Sequence, residues 1–152
     1  MDYVRQMRTY IGHAPLLLVG AATLIMKEGR LLLLRRSDNG LWGIPGGALE
    51  PGERLEETAM RETREETGLE VGNLRLLDVF SGPEYFYRYP NGDEVHNVSA
   101  VYVAGIARGS VQLNEEHNEY RYFALDALPL EGASPPIRPV LAQAVKLRID
   151  NW

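Results

Sequence analysis

Residues 46–69 read GGALEPGERLEETAMRETREETGL, a glycine-rich turn followed by a stretch that is dense in glutamate. Six of the fourteen residues from Glu53 to Glu66 are glutamates. Residues 54–67 are predicted to form a helix, and Gly68 follows them where a C-terminal helix glycine belongs. The ordinary explanation for so acidic a helix is a solvent-exposed face crossed by ion pairs.

The positions of the glutamates on a helical wheel favour a different explanation. Because a helix turns by about 100° per residue, Leu55, Ala59, Glu65 and Glu66 all lie within about 60° of Glu62. The apolar part of this stripe is expected to pack on a sheet. The three carboxylates are then predicted to face the protein and not bulk water.

Three inward carboxylates repel one another and lose hydration, which raises their pKa values unless a cation compensates them. Magnesium takes oxygen ligands and is commonly shared with substrate phosphates. The stripe beside the glycine-rich turn therefore suggests a metal-assisted phosphate site, although the glycines alone are equally consistent with a turn that binds nothing. On the outer side of the helix, Glu57 and Arg61 are expected to form an i,i+4 pair.

The rest of the chain predicts a single α+β domain over residues 1–152, built on a mixed β-sheet. Turn residues and alternating apolar runs define two hairpins and two further strands, with a helix near each end. The predicted helices cover residues 2–11 and 137–149, the hairpins 16–26 with 30–36 and 85–89 with 94–107, and the other strands 74–81 and 120–125.

Composition excludes several classes of protein. The chain has no cysteine, so thiol catalysis, disulfides and thiolate metal sites are excluded. Its net charge of −5 gives no reason to expect a nucleic-acid or membrane partner. The longest apolar run, near residues 16–26, is too short to cross a bilayer, so a soluble cytoplasmic protein is expected. His13, His96 and His117 are scattered, and each is expected to be structural or exposed, although His117 sits beside Glu116.

Residues 47–69 resemble the signature of the Nudix hydrolases, the family of MutT-like enzymes. One position departs, because Thr63 stands where the family prefers isoleucine, leucine or valine. The segment 42–47, WGIPGG, is similar to the usual lead-in of the family. The matching residues are Gly47, Glu53, Arg61, Glu62, Glu65, Glu66, Gly68 and Leu69.

The resemblance implies an α/β/α sandwich around a mixed sheet. It also implies metal-dependent hydrolysis of a pyrophosphate bond in a nucleoside diphosphate linked to another group. ADP-ribose, a nucleotide sugar and a nucleoside triphosphate are all compatible small-molecule substrates. A non-catalytic Nudix module that binds a nucleotide is the alternative, and a monomer and a homodimer are both compatible with the sequence.

Site residues carried over by position include ligands for Mg²⁺ or Mn²⁺. A further acid, Glu116 or its neighbour Glu115, is expected from a loop before a late strand, and Glu66 or Glu116 is the candidate general base. Glu53 is expected to pair with Arg61 and hold the loop against the helix. The implied metal ligands are Gly46 through its carbonyl, Glu62, Glu65, Glu66 and Glu116.

Candidate substrate-binding residues lie outside the signature. Tyr85 and Tyr87 are expected on one face of a strand and are candidates to stack on a base, with ordinary cross-strand packing as the alternative. Arg35 and Arg36 precede the glycine turn and are candidates to meet phosphates, with plain surface cations as the alternative.

Overall fold

The computed structural model describes residues 2–152, which form three α-helices and a mixed sheet of eight strands. Short 3₁₀ turns connect several of these elements. The predicted α+β class is confirmed. The elements are α1 (Tyr3–Ile11), β1 (Leu16–Lys27), β2 (Arg30–Arg36), β3 (Trp42–Gly43), β4 (Gly46–Ala48), α2 (Leu55–Thr67), β5 (Glu70–Phe80), β6 (Phe86–Arg88), β7 (Glu94–Arg108), β8 (His117–Ala124) and α3 (Arg138–Lys146).

The sheet is organised around one parallel pair. β1 and β7 run parallel over their length, from Leu16 opposite Val95 to Met26 opposite Gly105, and the other pairings are antiparallel. The main strand order is β3-β2-β1-β7-β5, with β8 added to β2 and β6 to β7. The short β4 pairs with β1 and ends a few residues before α2 begins. Gly46 and Gly47, which the sequence predicts in a turn, therefore lie in a short strand of the sheet, and this segment before α2 keeps the name glycine turn.

Both predicted hairpins are present. Glu28 and Gly29 both have positive φ, 51° and 77°, as the two central residues of a type I′ turn require. The register of this hairpin places Met26 opposite Leu31. In the second hairpin, β6 pairs with the start of β7.

The core has a layer on each face of the sheet. β1 and β2 contain continuous buried runs and not an alternating pattern, because both of their faces are covered. Leu24 and Leu33 face the cluster that contains Leu141 of α3. Neighbouring residues of the same strands face the side covered by α2, where Ala59 is buried. The result is the expected sandwich, with α2 and α3 on opposite faces.

Several predicted boundaries differ from the observed ones. β5 begins at Glu70 and not at residue 74, because register shifts and the left-handed Asn73 (φ 55°) break the alternation. β8 begins at His117, three residues before the predicted start. α3 ends at Lys146, and Arg148 adopts φ 51°, so the last residues form a separate turn.

Within residues 2–152, no helix is both long enough and apolar enough to cross a membrane.

Candidate active site

The helix α2 is delimited as its sequence predicts, but its N-terminus uses Glu57 in an unexpected way. The Glu57 carboxylate accepts a 2.8 Å hydrogen bond from the Arg54 backbone N–H, which satisfies a group that the helix leaves free. Gly68 ends the helix with φ 75°, and its N–H bonds to the carbonyl of Arg64. The predicted Glu57–Arg61 pair was wrong, because Glu57 is held at the N-terminus while Arg61 turns towards Glu53.

The buried face of α2 is rotated from the predicted stripe. Ala59, Thr63 and Glu66 are buried, whereas the Glu62 side chain is 18% exposed and the Glu65 side chain is 55% exposed. The prediction that all three carboxylates face inwards was therefore wrong for Glu65. The sheet packs on the side of the helix that carries Thr63, which leaves Glu65 at the solvent edge.

The position at which the sequence departs from the family pattern is explained by a buried pair. Thr63 is fully buried, and its hydroxyl lies 3.1 Å from the hydroxyl of Thr23 on β1, which is also fully buried. An aliphatic side chain at position 63 would leave the Thr23 hydroxyl without this partner. The hydroxyl of Thr63 thus provides a hydrogen-bond partner for the buried hydroxyl of Thr23 on β1.

Glu53 and Arg61 join the loop to the helix, as the resemblance implies. Nε and Nη2 of Arg61 donate to the two carboxylate oxygens of Glu53 at 2.7 and 2.9 Å, and Nη2 also donates to the Ala48 carbonyl at 3.0 Å. The hydrogen bonds from Arg61 lower the pKa of Glu53 to about 2. The backbone N–H of Glu50 and the hydroxyl of Thr58 also donate hydrogen bonds to the Glu53 carboxylate. The loop before α2 is therefore fixed by charge-assisted hydrogen bonds.

Gly46 and Gly47 are required because other atoms approach them closely. The Gly46 N–H donates to Oε2 of Glu66 at 3.0 Å. A Cβ at Gly46 would stand 2.7 Å from the Ala21 carbonyl oxygen, and a Cβ at Gly47 would overlap the carboxylate of Glu62. Neither glycine has a positive φ, so a special backbone conformation is not the reason for glycine here. Glycine is needed at both positions because a side chain would collide with β1 or with the Glu62 carboxylate.

The structure brings Glu116 to Glu66, although fifty residues separate them in the chain. One ligand atom each of Glu66, Glu116 and His117 lies within 4.8 Å of the other two. The loop that carries Glu116 is held by a 2.9 Å bond from the Ser37 N–H to the Glu116 carbonyl. Glu115, the alternative candidate, is not part of this group of side chains.

The carboxylates near Gly46 are costly to ionise together. Burial, together with the charges of Glu62 and Glu116, raises the pKa of Glu66 to about 9, against the lowering effect of the hydrogen bond from the Gly46 N–H. Burial also raises the pKa of Glu62, although the neighbouring Arg61 opposes that shift. Oxygen donors with excess negative charge match the ligand preference of a hard divalent cation. These residues therefore fit the metal that the family resemblance implies.

The two candidate arginines are engaged by other groups. Arg36 donates to both carboxylate oxygens of Asp38, at 3.0 and 2.9 Å, and Arg35 donates to the Gly40 carbonyl at 3.1 Å. The Arg36 side chain stays 43% exposed, and its pKa is raised by the hydrogen bonds to Asp38 first and then by the charges of Asp38, Glu116 and Glu66. Arg36 is paired opposite His117, the neighbour of Glu116, whereas Arg35 is paired opposite Glu119.

A cavity of about 390 Å³ lies on the far side of the glycine turn from the carboxylates. Gly46 and Gly47 form part of its wall, so the turn separates the cavity from Glu62 and Glu66. Most of the lining is apolar, and the polar side chains include Asn97 and Ser99 of β7.

Only one of the two candidate tyrosines lines this cavity. Tyr85 is 5% exposed and lies in a 3₁₀ turn, not in a strand. Tyr87 is exposed and packs edge-on against Tyr89 at 4.7 Å between ring centroids. The predicted common face for Tyr85 and Tyr87 was wrong, because the turn ends before β6 begins.

His117 was not expected at this site. His117 is 5% exposed, and its Nδ1 lies 3.9 Å from Oε1 of Glu66. Burial lowers the pKa of His117. In the sequence, the only signal was its position next to Glu116, three residues before the predicted start of a strand at residue 120.

Comparisons with known proteins identify the family of this chain. The model of the NUDIX domain matches residues 16–144. An ADP-ribose pyrophosphatase of Methanocaldococcus jannaschii is 36% identical over 109 residues, which cover 70% of this chain and 61% of that protein. The nucleoside triphosphatase NudI of Escherichia coli K12 is 34% identical over 107 residues, which cover 65% of this chain and 76% of NudI.

A solved structure shares both sequence and fold with this protein. The MutT NUDIX hydrolase from Burkholderia pseudomallei is 32% identical and superposes with a TM-score of 0.71, covering 86% of this chain and 98% of that one. This similarity confirms the predicted sandwich, and the domain match confirms the predicted family. The chain belongs to the NUDIX domain family.

Proposed function

We propose that this protein is a divalent-metal-dependent pyrophosphohydrolase that acts on a nucleoside diphosphate linked to another group. The observation that carries the proposal is the convergence of Glu62, Glu66 and Glu116 beside the Gly46–Gly47 turn. Gly46 and Gly47 also line the cavity of about 390 Å³, which would receive the rest of a nucleotide. The related proteins, which include an ADP-ribose pyrophosphatase and a nucleoside triphosphatase, support the same reaction class.

Glu62, Glu66 and Glu116 would hold Mg²⁺ or Mn²⁺, with the Gly46 carbonyl as a further ligand. Glu65 stays in the proposed set as a ligand from the solvent edge, where its exposed carboxylate lies near Arg61. When bound, the cation neutralises pyrophosphate oxygens and lowers the pKa of a coordinated water.

The protein groups supply positioning and proton transfer. Glu66, whose pKa is raised by burial, and the exposed Glu116 are the candidates to accept the proton of the attacking water. Glu53 and Arg61 act by positioning, because their bonds fix the Ala48 carbonyl and the loop beside the carboxylates. Arg36, partly exposed near Glu116, is the better placed of the two arginines to meet a phosphate.

The cavity behind the glycine turn would receive the nucleoside. Its volume of about 390 Å³ is within the usual range for small-molecule sites. The ring of Tyr85 supplies an aromatic wall, and Asn97 is oriented by its 3.1 Å bond to the Tyr85 carbonyl. ADP-ribose, a nucleotide sugar and a nucleoside triphosphate remain the proposed substrates. The proposed setting is one catalytic domain, monomeric or homodimeric, in the cytoplasm.

The alternative is a Nudix module that binds a nucleotide without cleaving it. All glutamates of the signature are present, and Glu53, Glu62 and Glu66 have the partners that an ordered site requires. These contacts favour a catalytic site.

A phosphate-release screen tests the proposal. Purified protein is incubated with ADP-ribose, nucleotide sugars and nucleoside triphosphates in the presence of Mg²⁺, Mn²⁺ or EDTA. We expect turnover of at least one class that EDTA abolishes, and heavy-oxygen water will identify the phosphorus attacked. Saturable nucleotide binding without turnover under every metal condition would favour the regulatory module instead.

A further inference from the structure

His117 is a buried polar residue whose imidazole lies beside the carboxylate of Glu66. His117 is the first residue of β8 and is 5% exposed, and its Nδ1 has no hydrogen-bond partner. Among residues 2–152, only one other side-chain polar atom is buried in this way, Oδ1 of Asp150. A buried polar atom without a hydrogen-bond partner lowers the stability of the fold, so a functional role for Nδ1 is a reasonable explanation.

A strand irregularity places this imidazole. β8 pairs with β2 so that Arg35 is opposite Glu119 and Arg36 is opposite His117, which leaves Asn118 as an extra residue on β8. A bulge of this kind changes the direction of the neighbouring side chains from the one they would have in a regular strand. His117 consequently lies on the side of Glu66, adjoining Glu116 in the chain.

The distance between Nδ1 of His117 and Oε1 of Glu66, 3.9 Å, is too long for a hydrogen bond. It does suit two ligands of one cation, because metal bonds of about 2.1 Å allow two donors to stand up to roughly 4.2 Å apart. The neighbouring oxygen donors of Glu66 and Glu116 complete a group of mixed nitrogen and oxygen character.

We propose that Nδ1 of His117 is a ligand of the cation held by Glu66 and Glu116, and that this nitrogen donor makes the site prefer a transition-metal ion to Mg²⁺. The inference rests on the proposed function for the existence of the cation. Imidazole favours Co²⁺, Ni²⁺ and Zn²⁺ over Mg²⁺, which prefers oxygen and water. The all-oxygen donor set implied by the family signature contains no donor that would create such a preference.

Metal binding in the absence of nucleotide tests this assignment directly. Dissociation constants are measured for Co²⁺ and Mg²⁺ by titration calorimetry, and pulsed electron paramagnetic resonance of the Mn²⁺ complex reports a ¹⁴N nucleus in the coordination shell. We expect an imidazole ¹⁴N coupling in the unaltered protein. We also expect His117→Gln to abolish it and to weaken Co²⁺ binding by more than about tenfold while changing Mg²⁺ binding by less than about threefold.

His96→Gln is the matched control, because His96 is exposed on β7 and belongs to no acidic group among the described residues. This variant should keep both the coupling and the Co²⁺ affinity. Absence of a ¹⁴N coupling from the unaltered protein overturns the proposal even if His117→Gln fails to fold. Equal weakening of Co²⁺ and Mg²⁺ also overturns it, because that result assigns His117 to positioning of Glu66.

The same titrations separate this inference from the proposed function. Metal binding without a nitrogen ligand leaves the proposed hydrolase intact and rejects only the role of His117. Failure to bind any of the three ions rejects both.

Discussion

The backbone N–H of Gly46 donates a 3.0 Å hydrogen bond to Oε2 of Glu66, across twenty residues of the chain. This bond ties the glycine turn to the buried end of α2. It also fixes one oxygen of the carboxylate that lies nearest to Glu116 and His117. The position of Glu66 therefore depends on a backbone N–H that every residue except proline would retain at position 46.

Replacing Glu66 by glutamine should separate catalysis from folding. The amide oxygen can still accept the Gly46 N–H, but it binds a divalent cation weakly and cannot act as a base. We expect turnover to fall by about 10²-fold or more. Phosphate release with Mg²⁺ or Mn²⁺ measures this loss.

Thermal unfolding provides the control for Glu66→Gln. Because burial disfavours the charged carboxylate, the metal-free variant should unfold at pH 8 at the same temperature as the parent protein or higher. Near-normal turnover in a folded variant would show that the catalytic site lies elsewhere.

Replacing Gly47 by alanine should damage the site through contact with Glu62. The added Cβ would overlap the Glu62 carboxylate, so that group must move away from its neighbours. We expect weaker Mg²⁺ binding, by about tenfold, and a parallel loss of turnover. Metal titration by calorimetry gives the first value.

Gly105→Ala is the comparison for that substitution. No heavy atom stands within 4 Å of a Cβ built at Gly105, and the residue does not have positive φ. This variant should bind metal and turn over normally. Equal metal affinity in the Gly47 and Gly105 variants would contradict the tight approach at Gly47.

The Glu53–Arg61 pair should give stability that depends on pH. Since Arg61 lowers the pKa of Glu53 to about 2 from 4.5, the pair stabilises the fold above pH 4.5 and loses this contribution as the pH falls towards 2. Glu53→Gln should cost about 1–2 kcal/mol of unfolding free energy near pH 6. Urea unfolding at several pH values measures the difference between parent and variant.

That difference should shrink steadily between pH 4.5 and pH 2. A difference that stays constant across this range would mean that the bonds to the Glu50 amide and the Thr58 hydroxyl, and not the ion pair, provide the stabilisation.

The contributions of the Thr23 and Thr63 hydroxyls to stability should be coupled. Both hydroxyls are fully buried. Removing the Thr23 hydroxyl leaves Thr63 without its 3.1 Å partner, at a cost of about 1–3 kcal/mol, whereas removing the Thr63 hydroxyl leaves Thr23 with its 3.4 Å bond to the Ala59 carbonyl and should cost less. The double variant Thr23→Val with Thr63→Val should lose less stability than the two single losses together. Denaturant unfolding of the four proteins measures this coupling, and strict additivity would rule out the pairing.

Tyr85 and Tyr87 should differ in their effect on substrate binding. Tyr85 and Tyr89 line the cavity, whereas Tyr87 is not part of the lining and packs on the ring of Tyr89. If the base stacks on the aromatic wall, Tyr85→Leu should raise the KM for the substrate by about tenfold, since such stacking contributes about 1–3 kcal/mol. Steady-state kinetics with the best substrate of the screen measures KM.

Tyr87→Leu serves as the matched variant and should leave KM unchanged. Similar KM values in both variants would place the nucleoside outside the cavity. Circular dichroism and thermal unfolding of Tyr85→Leu verify that the loss of a buried ring has not unfolded the protein.

Local sequence rules determined most of the secondary structure. Glu28-Gly29 and the residues 90–93 define hairpins, and Gly68 ends α2, because each position demands a backbone conformation that few residues adopt. The spacing of the glycines and glutamates in residues 47–69 was sufficient to identify the family, since so many positions rarely coincide by chance. The positions of Glu62 and Glu66 near the glycine turn also followed from helical periodicity.

Tertiary packing decided the rest. Which side of α2 meets the sheet depends on Thr23 and the other side chains of β1, so a wheel drawn from the helix alone misplaced Glu65. The approach of Glu116 and His117 to Glu66 depends on how β8 pairs with β2 and on the extra residue at Asn118. Contacts between residues fifty positions apart are set by strand register, and local propensity carries no information about register. The sequence therefore determined the family and the acidic helix, whereas the structure decided which donors surround the proposed cation.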